Sequence, residues 1–229
     1  MRAANPRALG RSALKVSQLG FGGAPLGNLF AELSEADAAA AVAGALASGI
    51  RLFDTAPLYG HGLSEHRIGA MLRHYRRDEF VVATKVGRLL RADPVADGGL
   101  YRRVLPFSTA SCRSASSGIL RSSLSDRSTR ASWRPASVAG ATYNYQPAPP
   151  AVMDRVRRIE AVCRNRGVAI AAAALQFPLH HPAVASVVPG ARSAAEVAAN
   201  IAAFEAPIPP SLWNELKAAG LLRTDAPTP

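Results

Sequence analysis

The chain has 229 residues, 48% of them hydrophobic, enough for one globular domain with a sizeable core and near the lower edge for an eight-unit βα barrel, which takes roughly 250 residues. No run of about 18 apolar residues is present, which excludes a membrane-spanning helix. The basic residues Arg2, Arg7 and Arg11 are followed by no apolar stretch, so no secretory leader is read.

The two cysteines, Cys112 and Cys163, lie far apart and outside any CxxC or His-rich spacing. That excludes a disulfide framework and a zinc site, no metal is expected, and the cytoplasm is the expected location. The net charge of +11 is unevenly spread, with seven arginines and one acid, Asp126, between Tyr101 and Gly140. A nucleic-acid surface interleaves charge with a structured element and with aromatics or amides. This stretch offers Tyr101, Phe107 and Trp133 and no helical period, so neither nucleic acid nor a membrane is expected as a partner.

In chain order, Leu19 to Gly27 reads as a strand ending in glycines. Ser34, with Asp37 three residues on, has the form of a capping box. An alanine-rich helix follows to Ser48, with Gly49 as its stop. Ile50 to Asp54 reads as a second strand, Ser64 to His74 as a helix with Ile68, Met71 and Leu72 at helical spacing, and Phe80 to Lys85 as a third strand. Strand–helix–strand–helix–strand in about seventy residues predicts parallel βα units. The same style resumes with a helix from Ala151 to Arg166 stopped by Gly167, another from Ala169 to Leu179 before Pro182, and a strand from Ala185 to Val188. A helix then opens at Ser193 with Glu196 completing a capping box, and a last one runs from Pro210 to Ala219 before Gly220.

The predicted organisation is one domain over 1–229, with N-terminal βα units at 8–92, an aberrant Ser/Arg-rich segment at 101–138 and C-terminal βα units at 139–224. Within it, Ser108 to Ser137 has no period of 2 or 3.6, and a long structureless insertion is unusual inside a compact domain. It reads either as a basic linker or as the scar of a deletion with a local frameshift. The second is preferred because periodicity vanishes here and returns abruptly; the 24 arginines against 3 lysines show the bias of a GC-rich gene, whose out-of-frame DNA tends to read as Arg, Ser, Ala and Pro.

The glycines of Gly20-Phe21-Gly22-Gly23-Ala24-Pro25-Leu26-Gly27 fail as a dinucleotide fingerprint, because Pro25 takes the third glycine position and no acid ends a second strand at the usual distance. A better constellation is Asp54 at the end of the second strand, Tyr59 in the loop after it and Lys85 at the end of the third. Strand C-termini of a parallel barrel converge on one mouth. There an ammonium would lower the pKa of a phenol, a carboxylate would hold the ammonium, and the phenol could give a proton to a carbonyl oxygen as hydride arrives. By spacing alone, the simpler account is an ordinary strand-end Asp–Lys pair with a tyrosine at the solvent edge.

Phe53-Asp54-Thr55-Ala56-Pro57-Leu58-Tyr59-Gly60, then Ser64-Glu65, Ile68-Gly69 and Ala83-Thr84-Lys85, resemble the aldo-keto reductase signature. Leu19-Gly20-Phe21-Gly22-Gly23 and Val188-Pro189-Gly190-Ala191-Arg192-Ser193, with Asn200, are similar to that family's first and last strands. The segment Gly140 to Gln146 resembles the branch that oxidises aldoses at carbon one. The resemblance implies an incomplete (β/α)8 barrel, with strands one to three and the last recognisable. It implies an NAD- or NADP-dependent oxidoreductase acting on a small aldose or aldehyde. Tyr59 would be the acid/base, Lys85 its partner and Asp54 the counter-ion of Lys85. Gly23 and Ala24 would lie at the nicotinamide end, with Asp54 counted beside them, and Gly190, Arg192, Ser193 and Asn200 would hold the adenosine end. Glu196 in the first turn of that helix would repel a 2′-phosphate, which leans toward NAD.

The family's further catalytic histidine, at the end of strand four, has no counterpart among His61, His66, His74, His180 and His181, and strands four to seven have none either. A non-catalytic remnant that binds cofactor or a partner is therefore the alternative. An opened barrel exposes strand edges and an unfilled interior. Low stability and aggregation are expected; a sharp, reversible thermal melt of the purified monomer would refute this.

Overall fold

Side-chain alternation across short strands organises the N-terminal half. The computed structural model describes residues 1–28, 31–86, 88–92, 101–106, 142–143 and 146–229. A hairpin comes first, β1 (Pro6–Ala8) antiparallel to β2 (Lys15–Ser17). Then β3 (Phe21–Gly22), β4 (Leu52–Asp54) and β5 (Val81–Ala83) form a parallel sheet in that order. Parallel bridges Leu19↔Val187 and Gly22↔Gly190 lay the 187–190 segment along the free side of β3. The residues Gly190, Gly22, Asp54 and Ala83 thus stand in one row at the C-terminal ends of four parallel segments.

Phe21 and Phe53 project from one face of this sheet, with ring centroids 5.7 Å apart. Three helices supply much of that core: α1 (Glu35–Ala47), α2 (Leu63–Leu72) and, later in the chain, α5 (Ala194–Glu205). Ala38, Ala41, Val42, Ala45 and Leu46 of α1 pack there with Ile68, Leu72, Val197 and Phe204. The small alanines let α1 approach closely, and Ser34 caps it, accepting from the Asp37 amide as expected. On the opposite face Leu52 packs with Val16 and Ala185, against Val81, Ala83 and Val188. Among the described residues, β5 has one strand neighbour, β4.

The antiparallel hairpin β6 (Arg88–Ala92) and β7 (Tyr101–Pro106) follows, then the short pair β8 (Thr142–Tyr143) and β9 (Gln146–Pro147). The first six residues of the Ser/Arg-rich segment are thus a paired strand; the remainder of 101–138 lies outside the described residues. So do Asn144 and Tyr145 of the Gly140 to Gln146 motif. Next come α3 (Pro150–Asn165), α4 (Ile170–Gln176) and, at the end, α6 (Pro210–Ala218). Cys163, Ala172, Leu212, Trp213 and Leu216 form a second cluster between them. No described helix is long and apolar enough to cross a membrane.

Three expectations are corrected in detail. Only Phe21–Gly22 of the first strand is extended in the sheet, and Ala24–Gly27 turns as a 3-10 helix with Pro25 in its first turn. Proline's fixed φ suits such a turn. The helix expected to run to Leu179 ends at Gln176, because Pro178 has no N–H to continue it, and Phe177–His180 tightens into a 3-10 turn. The last segment pairs through isolated bridges, Val187 with Leu19 just before β3 and Gly190 with Gly22, the second two residues beyond the expected Ala185–Val188 span.

Arg7 of the hairpin donates to the carbonyls of Leu179 and Val184, at 3.1 and 2.7 Å, on either side of His180. The His180 ring meets Trp213 edge-on at 5.4 Å, and its Nε2 is buried without a hydrogen-bond partner. Burial first, then Arg7 and the chain's amino terminus, hold the imidazole below the ordinary histidine value of 6.5. The unfolded chain therefore binds more protons in that interval, so the stability contributed is complete above the ordinary value and is lost as pH falls through the folded one. The urea midpoint of the wild type should fall more between about pH 7 and pH 5 than that of His180→Gln. Parallel profiles for the two proteins would show that this imidazole is not responsible.

Candidate active site

The row of strand ends places the candidate residues. Asp54 is the last residue of β4, and Lys85 follows β5 by two residues. Lys85 Nζ donates to Asp54 Oδ2 at 2.8 Å and to the Thr55 carbonyl at 3.2 Å, and lies 4.7 Å from the centroid of the Tyr59 ring. Burial works against the ammonium, but hydrogen bonds to Asp54 and to Tyr59, and the charges on both, outweigh it. The lysine is held above its ordinary value and stays charged at neutral pH. The Asp54 carboxylate is 19% exposed and the Lys85 side chain 42%, so the trio lies at a mouth open to water. The sequence-predicted trio is brought together.

Tyr59 sits in a loop built for a sharp reversal. Gly60, His61 and Gly62 have consecutive positive φ values of 64°, 53° and 96°, a region that glycine enters freely and histidine tolerates better than most residues. The loop then feeds α2, whose Leu63 and Ser64 amides donate to the Gly60 and Tyr59 carbonyls.

Gly23 and Ala24 begin the turn after β3, and the Gly23 amide donates to the Asp54 carbonyl at 2.7 Å. Ser64 Oγ donates to the Gly23 carbonyl at 2.7 Å and lies 2.8 Å from Thr55 Oγ1, a buried chain that ties β3, β4 and α2. Gly190 enters the row beside Gly22, and Asn200 Nδ2 donates to its carbonyl at 3.3 Å. Ser193 caps α5 by accepting from the Glu196 amide. Arg192 pairs with Glu196 at 2.7 Å, and its own amide also donates to that carboxylate at 2.8 Å. The hydrogen bond and charge of Glu196 raise the Arg192 guanidinium above its ordinary value.

Sequence reasoning missed Arg67. It sits on α2 yet is 6% exposed, and it reaches the turn after β3, where Nη1 donates to the Leu26 carbonyl at 2.7 Å and to Asn28 Oδ1 at 2.9 Å. Nη2 reaches the Leu33 carbonyl, and Nε and Nη2 both meet Glu35 Oε1. That hydrogen bond holds the Glu35 carboxyl below the usual range. The signal available was an arginine four residues from both Leu63 and Met71, on the inward side of the helix.

A glycine at 23 is a steric requirement. A Cβ there would lie 2.7 Å from both Ile68 Cδ1 and Ser64 Oγ and 2.9 Å from the Asp54 carbonyl oxygen. Gly23→Ala should destabilise by about 1–3 kcal/mol, as overpacking does. Urea denaturation measures it; a change below about 0.5 kcal/mol would mean that β3 and α2 are not so close.

The aldo/keto reductase family model matches residues 18–117 and 114–220, entering the Ser/Arg-rich segment from both sides. The chain is 30% identical over 318 aligned positions to a D-threo-aldose 1-dehydrogenase from a Pseudomonas species, covering 93% of this chain and 97% of that protein. It is 28% identical over 340 positions to a pyridoxal 4-dehydrogenase from Microbacterium luteolum, covering 97% and 99%. Both alignments are longer than the 229 residues here, so each relative carries residues without a counterpart. Among solved structures, an aldo-keto reductase from Bacillus halodurans in its holo form superposes with a TM-score of 0.64 at 23% identity, over 97% of this chain and 98% of that one. That likeness speaks for the fold.

Proposed function

The chain belongs to the aldo/keto reductase family of oxidoreductases, and from that membership we propose that it oxidises an aldose at carbon one with NAD, or reduces the corresponding carbonyl, with Tyr59 as the acid/base. The observation that carries this reading is the contact of Lys85 Nζ with both Asp54 Oδ2, at 2.8 Å, and the Tyr59 ring, at 4.7 Å. The name of the D-threo-aldose relative supports the substrate class.

A nicotinamide cofactor, when bound, would accept or supply the hydride. The donors fit such a group. Gly190, Arg192, Ser193 and Asn200 gather at the start of α5, a helix end that favours phosphate. Asp54 stands in the row of strand ends beside Gly22, which Gly23 and Ala24 follow, and on this reading the three would lie at the nicotinamide end. Glu196 already holds the Arg192 guanidinium. A 2′-phosphate would have to compete with that carboxylate, so the reading favours NAD over NADP.

Tyr59 contributes its hydroxyl proton. In the reducing direction it donates to the carbonyl oxygen of the substrate; in oxidation the phenolate takes the proton of the C1 hydroxyl. Lys85 stabilises the phenolate, and Asp54 keeps the lysine charged and aimed. The barrel is read as incomplete: β5 has one described strand neighbour, and the relatives align over more positions than this chain contains. The same facts support the second reading, a remnant that binds cofactor without turnover.

A fluorescence titration with NADH, followed by NAD reduction with L-fucose and D-threo-aldoses, separates the two. Tyr59→Phe should lower turnover by about a hundredfold or more while leaving NADH binding intact. Binding without turnover in the wild type would favour the remnant, and turnover unchanged by Tyr59→Phe would remove the tyrosine from the mechanism.

A further inference from the structure

Arg67 spends its guanidinium on the turn after β3, and the use of that turn is visible at its other side. Gly27 closes the 3-10 turn Ala24–Gly27 and presses against the Tyr59 loop. A Cβ on Gly27 would lie 2.6 Å from Gly60 N and from the Tyr59 carbonyl oxygen, and one on Gly60 would lie 2.7 Å from Gly27 Cα. The two backbones are therefore in direct contact, with no side chain between them to absorb movement. Asn28, the next residue, is held at a φ of 57°, and its Oδ1 accepts from Arg67 as well as from the Leu33 amide.

The geometry points to Arg67 as the positioning residue for Tyr59: it clamps Leu26, Asn28 and Leu33 to α2, and the clamped turn is the backstop that sets where the Tyr59–Gly60 backbone lies relative to Lys85. The inference rests on the proposed acid/base role of Tyr59, and deepens it. Arg67 touches none of the reacting groups; it acts through the turn. Three features separate this clamp from a generic surface ion pair. The guanidinium is buried, with its side chain 5% exposed. Two of its acceptors are main-chain carbonyls, and the one carboxylate it meets, Glu35, is 73% exposed. An exposed carboxylate contributes little, so the hold comes from the carbonyls and Asn28. Arginine suits this because its planar fork reaches several acceptors at once and cannot lose its charge.

Alkaline difference titration of the phenolate absorbance tests this without requiring turnover. The chain has five tyrosines, and subtracting the Tyr59→Phe curve isolates Tyr59. In the wild type the midpoint should lie below the ordinary tyrosine value of about 10. Arg67→Met and, independently, Gly27→Ala should raise it by about one unit, the scale of effect of a cation within roughly 4–6 Å. Glu35→Gln should leave it in place, and Arg67→Lys should restore part of the shift. If Arg67→Met fails to fold, Asn28→Gly takes its place, since it removes one acceptor while tolerating the positive φ. A folded Arg67→Met or Asn28→Gly with the wild-type midpoint overturns the inference. A wild-type midpoint at the ordinary value that still moves in these variants would retain the positioning role and refute the acid/base reading instead.

Discussion

Parallel register is the constraint from which the site follows. Gly190 pairs beside Gly22, Gly22 beside Asp54, and Asp54 beside Ala83. Parallel pairing brings the C-terminal end of every segment to the same edge of the sheet, so the loops after 187–190, β3, β4 and β5 emerge together. A slip of β4 by one residue would send Asp54 to the helix face and Phe53 to the opposite one. Phe21 and Phe53 oppose such a slip because both are fully buried on the helix face. Core packing on one face therefore fixes the chemistry on the other.

Two cations near the mouth are used in opposite ways. Lys85 is partly exposed and spends its charge on Asp54 and Tyr59, both at the mouth. Arg67 is buried and spends its charge on backbone, where an unpaired guanidinium would be costly. A lysine in place of Arg67 would offer three donors from one atom and could not span Leu26, Asn28 and Leu33 as a planar fork does. The pairing of Arg192 with Glu196 is a third arrangement, an exposed ion pair within one helix start. Pairs of that kind add little stability.

The helix caps were legible because they depend on short-range signals, and Asp54 with Lys85 because parallel strand ends share one edge whatever their separation in the chain. Ser34 with Asp37 and Ser193 with Glu196 cap their helices as the spacing implies. Asp54 and Lys85 meet because each stands at or just after a strand end. The N-terminal hairpin was not read, although Gly10, at a φ of 60°, marks its turn. Its strands are three residues each, too short for alternation to register. The strand expected through Gly27 stopped early because glycines and a proline favour turning over pairing. Arg67 was invisible for a different reason. Its partners lie 32 to 41 residues away in the chain, and its spacing of four from Leu63 and Met71 marks the side of the helix it shares without telling what it meets there.

The same geometry bears on how much of a barrel this chemistry needs. Asp54 and Lys85, the turn at Gly23 and Gly190 with its partner Asn200 stand at or just beyond the ends of adjoining parallel segments, joined by direct hydrogen bonds. None of those contacts passes through another strand. On the proposed reading, cofactor contact and proton transfer are thus local properties of this arc, while orientation of the substrate carbonyl is not. The far wall of the mouth would have to supply that orientation, and the family's histidine belongs there. The balance between a dehydrogenase and a cofactor-binding remnant therefore turns on the wall opposite Tyr59, not on the trio itself. Loss of orientation costs rate rather than affinity, because a misplaced carbonyl forfeits the near-attack geometry while the cofactor stays bound. For that reason, binding and turnover have to be measured separately in this chain: the first reports on the arc and the second on what closes it.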